Sequence, residues 1–139
     1  MTIQNPTNEQ LKEILTNAST IAVVGLSNNP ERTSYQVSKA MQDAGYKIIP
    51  VNPTIDEALG ERAIASLAEL EEPVDIINVF RRSEYLPDVA REAVQTNAPV
   101  FWAQQGIQSD EANDYLREHG VTVIMDVCIK VAHSVTIGK

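Results

Sequence analysis

Five short apolar runs constrain this chain most: Thr20–Val24, Tyr46–Val51, Val74–Phe80, Pro99–Ala103 and Val121–Met125. Each is bounded by polar or turn-forming residues, and runs of this length and apolarity suit strands buried on both faces of a parallel sheet. The intervening segments have helical spacing. Thr7 or Asn8 can cap a first helix reaching about Asn17, with Leu11, Ile14 and Leu15 on one face. A second is expected from Thr33 to Ala44, closed by Gly45, and a third from Glu84 to Thr96 with Pro87 in its first turn. Ser109 caps a fourth that ends near His119, and Asp126–Val135 forms a short last one. From Thr54 to about Glu72 the chain is irregular, with short turns at Leu59-Gly60 and Ser66-Leu67. Strands alternating with helices through right-handed crossovers predict an α/β fold, a three-layer doubly wound parallel sheet in the order 3-2-1-4-5. The length of 139 residues suits one domain over 1–139 with a core from about 14 to 135, a frayed start at 1–6 and a loose tail at 136–139.

In such a sheet the ligand crevice lies beyond the carboxyl ends of the strands, at the switch point expected here between strands one and four. The residues that break the apolar and helical patterns gather at those ends. They are Gly25–Arg32, Asn52-Pro53, Phe80-Arg81-Arg82, Trp102–Gly106 and Asp126–Cys128. The first of these loops leads from a strand into a helix, whose N-terminus offers unpaired N–H groups and a positive dipole end. Gly25, the Ser27 hydroxyl, the Arg32 guanidinium and the hydroxyls of Thr33 and Ser34 suit phosphates. The net charge of −8 argues against nucleic-acid or anionic-membrane partners, so local donors must hold any anionic ligand.

The loop is not a dinucleotide fingerprint. That motif needs glycines at 25, 27 and 30, where the chain has Gly25, Ser27 and Pro30, and Pro30 has no N–H to donate. No acidic residue ends the second strand to take a ribose hydroxyl, and no G-K-[ST] follows to make a P-loop. Arg81, next to Phe80, is the better of two arginines for a ligand phosphate. Gln104 and Gln105 can read ligand amides or hold a loop, and Trp102 reads as core. The one cysteine, Cys128, cannot make an internal disulfide and reads as a buried, inert thiol. His119, in the last turn of a helix, reads as a dipole-compatible surface residue and His133 has no carboxylate or second histidine at ligand spacing, so no metal is expected, and no catalytic serine, H-E-x-x-H or C-x-x-C motif is present. The first residues lack the basic and apolar regions of a signal peptide and no run is long enough to span a bilayer, which points to the cytoplasm.

Six segments in order resemble the small stand-alone bacterial CoA-binding proteins, whose domain is similar to the N-terminal CoA-binding domain of the succinyl-CoA synthetase α subunit. They are V-V-G-L-S-N-N-P-E-R-T-S-Y (23–35), I-P-V-N-P (49–53), L-G-E (59–61), V-D-I-I-N-V-F-R-R (74–82), V-F-W-A-Q-Q-G (100–106) and V-I-M-D-V-C-I-K (123–130). The resemblance implies a Rossmann-like CoA-binding fold. It implies that Ser27, Asn28, Asn29 and Pro30 line the CoA phosphate loop, with Asn52 and Pro53 near the nucleotide end. Ala103, Gln104 and Gln105 would lie near the pantetheine arm, and Arg32, Phe80 and Arg81 are carried over as contacts. The synthetase's basic residue past strand two has no counterpart, Thr54 and Ile55 standing there, and Val127 occupies a place where arginine is common.

The expected function is binding of coenzyme A or an acyl-CoA without evident catalytic residues, as a carrier, sensor or partner subunit. The alternatives are an NAD(P)-binding oxidoreductase or an accessory subunit of an acyl-CoA ligase. A mixed disulfide between Cys128 and the CoA thiol is a third.

Overall fold

A computed structural model describes residues 3–138. In chain order the elements are α1 (Asn8–Asn17), β1 (Thr20–Val24), α2 (Thr33–Asp43), β2 (Lys47–Val51), the short strands β3 (Glu57–Ala58) and β4 (Glu61–Arg62), and β5 (Ile76–Val79). Then come α3 (Leu86–Thr96), β6 (Val100–Ala103), α4 (Asp110–Glu118), β7 (Thr122–Ile124) and α5 (Ile129–Thr136). The predicted strands and helices are all present, with ends trimmed by a few residues. The irregular stretch contains the β3–β4 hairpin, turning at Leu59 and Gly60 with both φ angles positive, and a 3₁₀ turn at Leu67–Glu69. Asp126 does not open the last helix: it sits at φ +62° and accepts the Gly106 N–H at 2.6 Å, so α5 begins at Ile129.

All main strands are parallel in one five-stranded sheet, ordered β2-β1-β5-β6-β7. Counting only the five main strands this is 2-1-3-4-5, which corrects the expected 3-2-1-4-5. The reason lies in β2 and β5. Lys47 of β2 is exposed, and the Pro50 carbonyl accepts the Ile64 N–H at 3.0 Å on the side away from β1. The N and C=O of one strand residue point the same way, so the missing donor of Pro50 lies at the outer edge of the sheet, met only by the short bridge to Ile64 among the described residues, where proline is tolerated. β5 is buried at all four positions, Asn78 included, and takes neighbours on both sides.

Each face of the sheet carries a core. Val24, Val51, Ile77, Val79 and Phe101 pack under Leu86, Val89 and Ala90 of α3 and Leu116 of α4. Ile21, Val23, Ile48, Ile76 and Trp102 pack under Leu11 and Leu15 of α1, Val37 and Met41 of α2, and Ile129 of α5. Those are the three expected layers.

The expected frayed start is corrected from Ile3 to Pro6. Asn5 donates to the Met125 carbonyl and accepts the Met125 N–H, both at 2.9 Å, and Arg117 donates to the Gln4 carbonyl at 2.8 Å. Thr7 then caps α1 in a reciprocal box with Gln10. At the other end Thr136 belongs to α5 and the Gly138 N–H reaches the His133 carbonyl at 3.2 Å, so the expected loose tail is ordered through Gly138. Met1, Thr2 and Lys139 of those two predicted segments lie outside the described residues.

Candidate ligand crevice at the carboxyl edge

Beyond the last ladder bonds, the loops that leave the strands are tied to one another. Gly25 N–H donates to Val51 C=O at 2.8 Å, Phe80 N–H to Val24 C=O at 2.8 Å and Gln104 N–H to Val79 C=O at 3.3 Å. Gly25 stands at φ +86°, and a Cβ there would lie 2.6 Å from the Phe80 carbonyl oxygen and 3.4 Å from Arg81 Cδ. Only glycine fits at this crossing. The switch point lies here, between β1 and β5 rather than between β1 and the fourth main strand.

After Gly25 the chain folds on its own polar atoms. The Ser27 N–H donates to Ser34 Oγ, Ser27 Oγ accepts the Asn29 N–H, and Asn29 Oδ1 accepts the Glu31 N–H, each at 3.0 Å. Both hydroxyls act as acceptors in these bonds, which leaves each its own hydrogen to donate. Asn28, Asn29, Pro30 and Arg32 are exposed, and Arg32 opens α2 without a side-chain cap among the described residues. Across the crossing, Asn52 locks the β2 loop to this one. Its Nδ2 donates to the Leu26 carbonyl at 3.0 Å, and its Oδ1 accepts from Thr54 N and Oγ1 at 2.9 and 2.8 Å.

On the α3 side of Gly25 is a cavity of about 550 Å³. Of the residues singled out from sequence, Gly25, Asn52, Pro53, Phe80 and Arg81 line it together. Ser66 and Glu92 also line it and were missed. Ser66 sits in the irregular stretch, where no period placed it, and Glu92 read as one more exposed helix carboxylate. Arg81 is exposed and makes no hydrogen bond or ion pair among the described residues; its guanidinium carbon lies 4.9 Å from the centre of the Tyr85 ring. Arg82 is exposed, 4.0 Å from Glu84.

The β6 end stands apart from this cavity. Ala103 and Gln104 are buried and Gln105 is exposed. The Gln104 amide is engaged at both ends, Nε2 donating to Asn78 Oδ1 and Oε1 accepting the Ile129 N–H at 3.1 Å, so it holds the α5 entry to the sheet. Trp102 is core, its Nε1 donating to the Val127 carbonyl at 2.9 Å. Cys128, the residue before α5, is half-buried, not fully buried as expected, and unbridged. His119 caps α4 beside the Tyr115 carbonyl, and His133 is buried edge-on to Tyr46. Among the described residues no group of three His, Cys, Asp or Glu could hold a metal, and no helix is long and apolar enough to cross a membrane.

Comparison with known proteins decides the family, because residues 19–134 match the CoA binding domain. The chain belongs to the CoA-binding domain family. Protein YneT of Bacillus subtilis strain 168 is similar at 66% identity over 134 residues, 96% of this chain and 99% of YneT. A solved structure from Thermus thermophilus has a TM-score of 0.91 at 37% identity, covering 94% of this chain and 99% of that one. The ADP-forming acetate–CoA ligase of Methanocaldococcus jannaschii is 28% identical over 72 residues, which is 52% of this chain and 10% of the ligase. The resemblance read from the six motifs to the CoA-binding domain family therefore holds, and the synthetase-type relative matched is an ADP-forming acetate–CoA ligase where the motifs resembled the succinyl-CoA synthetase α subunit.

Proposed function

We propose that this chain binds coenzyme A or an acyl-CoA along the carboxyl edge of the sheet, as a binding module that leaves chemistry on the ligand to others. The observation that carries this is the Gly25 crossing. There a phosphate-suited loop, an unpaired arginine and a cavity of about 550 Å³ meet at the switch point of a CoA-binding fold. An extended, polyanionic ligand can run from the exposed Asn28–Arg32 loop over Gly25 to Asn52 and Pro53, with Gln105 flanking the β6 end. Isothermal titration with CoA, acetyl-CoA, NAD and FMN tests it. CoA or acetyl-CoA binding tighter than NAD or FMN is expected, and folded protein giving no heat with either CoA species overturns it.

The ligase match favours a second reading, in which the chain is the CoA-holding piece of a multi-chain acyl-CoA ligase. Co-purification with a larger chain that forms acetyl-CoA from acetate, ATP and CoA only in the complex would support it.

A further inference from the structure

Tyr85 is one of three large apolar side chains left exposed among the described residues, at 41%. It ends the 3₁₀ turn Ser83–Tyr85 between β5 and α3. That turn is fixed at both sides: Tyr85 N–H donates to the Arg82 carbonyl at 2.9 Å, and Ser83 Oγ accepts the Gln108 N–H at 3.0 Å. The backbone that carries the ring is therefore held in place, and what lies on the ring is the guanidinium of Arg81, itself part of the cavity lining.

We infer that Tyr85 is the stacking surface for the adenine ring of the ligand, and that Arg81 vacates it when its guanidinium pairs with a ligand phosphate. This rests on the CoA reading above and adds which part of the ligand is read, and by what. A cation over a partly exposed ring is the weaker of the two contacts open to Arg81. A bidentate guanidinium–phosphate pair is the stronger. Arg81 has no other partner to give up among the described residues. Once it turns inward, the exposed ring presents a π-face to a base, and such stacking is tolerant of edge chemistry but requires an aromatic ring. With the adenine outside on Tyr85, the cavity remains for the rest of the ligand.

The test measures affinities of the wild-type chain, Tyr85→Ala and Tyr85→Phe for CoA, 3′,5′-ADP and 4′-phosphopantetheine, with NMR of the adenine protons. Tyr85→Ala should weaken CoA and 3′,5′-ADP about tenfold without weakening 4′-phosphopantetheine, since only the first two carry the base. Tyr85→Phe should stay within about twofold, because the π-face remains. Adenine H2 and H8 should move upfield with the wild type and Tyr85→Phe but not with Tyr85→Ala. Equal CoA affinity in Tyr85→Ala, or equal loss of the ligand lacking adenine, overturns the inference while the CoA reading stands. A folded wild-type chain that binds neither CoA nor 3′,5′-ADP overturns both.

Discussion

At the scale of single residues, the sequence marked Arg81 by its place after an apolar strand, and the structure shows it unpaired at the rim of the cavity. Arg81→Ala should fold normally and bind CoA more weakly by about 1–3 kcal/mol, the range for a lost charge-assisted hydrogen bond. Calorimetry checks this, and unchanged affinity would mean the guanidinium faces solvent in the complex. Ser38 was not legible at all. It lies on the buried face of α2, 1% exposed, and its hydroxyl has no hydrogen-bond partner among the described residues. A buried, unsatisfied hydroxyl is a cost, and alanine is the better helix former. Ser38→Ala should therefore raise stability by about 1 kcal/mol in urea unfolding. A loss instead would reveal a partner such as a bound water. Sequence patterns report which face of a helix is buried, but the partner of a polar atom on that face depends on side chains from distant segments.

At the scale of elements, strands and helices were legible because apolar runs, caps and closing glycines act within a few residues of one another. Thr7, Ser109 and Gly120 each sit where local chemistry predicts. The order of the strands was not, although Pro50 pointed to it: a proline within a strand belongs at an edge, and the expected order would have made β2 internal. The consequence reaches the site. With β5 beside β1, it is Phe80 and Arg81 that meet Gly25, while Gln104 moves one strand outward and into the core. There its amide joins Asn78 of β5 to the first turn of α5. Gln104→Ala would leave the Asn78 side chain and the Ile129 N–H buried and unpaired, a loss of about 2–3 kcal/mol. Hydrogen exchange should quicken first at the start of α5. Unaltered stability together with weaker CoA binding would instead make Gln104 a ligand contact.

At the scale of the whole molecule, a chain carrying −8 must hold an anionic ligand by local donors and keep its two helical layers together by burial. Tyr46 is where several elements meet on one layer. It is 8% exposed just before β2, its hydroxyl donates to the Leu15 carbonyl in the last turn of α1, and its ring meets His133 of α5 at 5.8 Å. Burial raises its pKa above the ordinary 10.0. The folded state thus holds the phenol proton more tightly than the unfolded chain does. The resulting stability is fully present below the unfolded value and is lost as pH rises through the folded one. Lys47, raised through its hydrogen bond to Glu72, contributes with the same sign, so the alkaline decline of the wild type contains both. Tyr46→Phe separates them. At neutral pH it should cost about 1 kcal/mol, from the lost bond to Leu15. Above about pH 10 the wild type should lose stability faster than the variant, so that the gap between their urea midpoints narrows. Midpoints measured from pH 7 to 11.5 decide the matter, and parallel curves would mean that the Tyr46 hydroxyl titrates as freely in the folded chain as in the unfolded one.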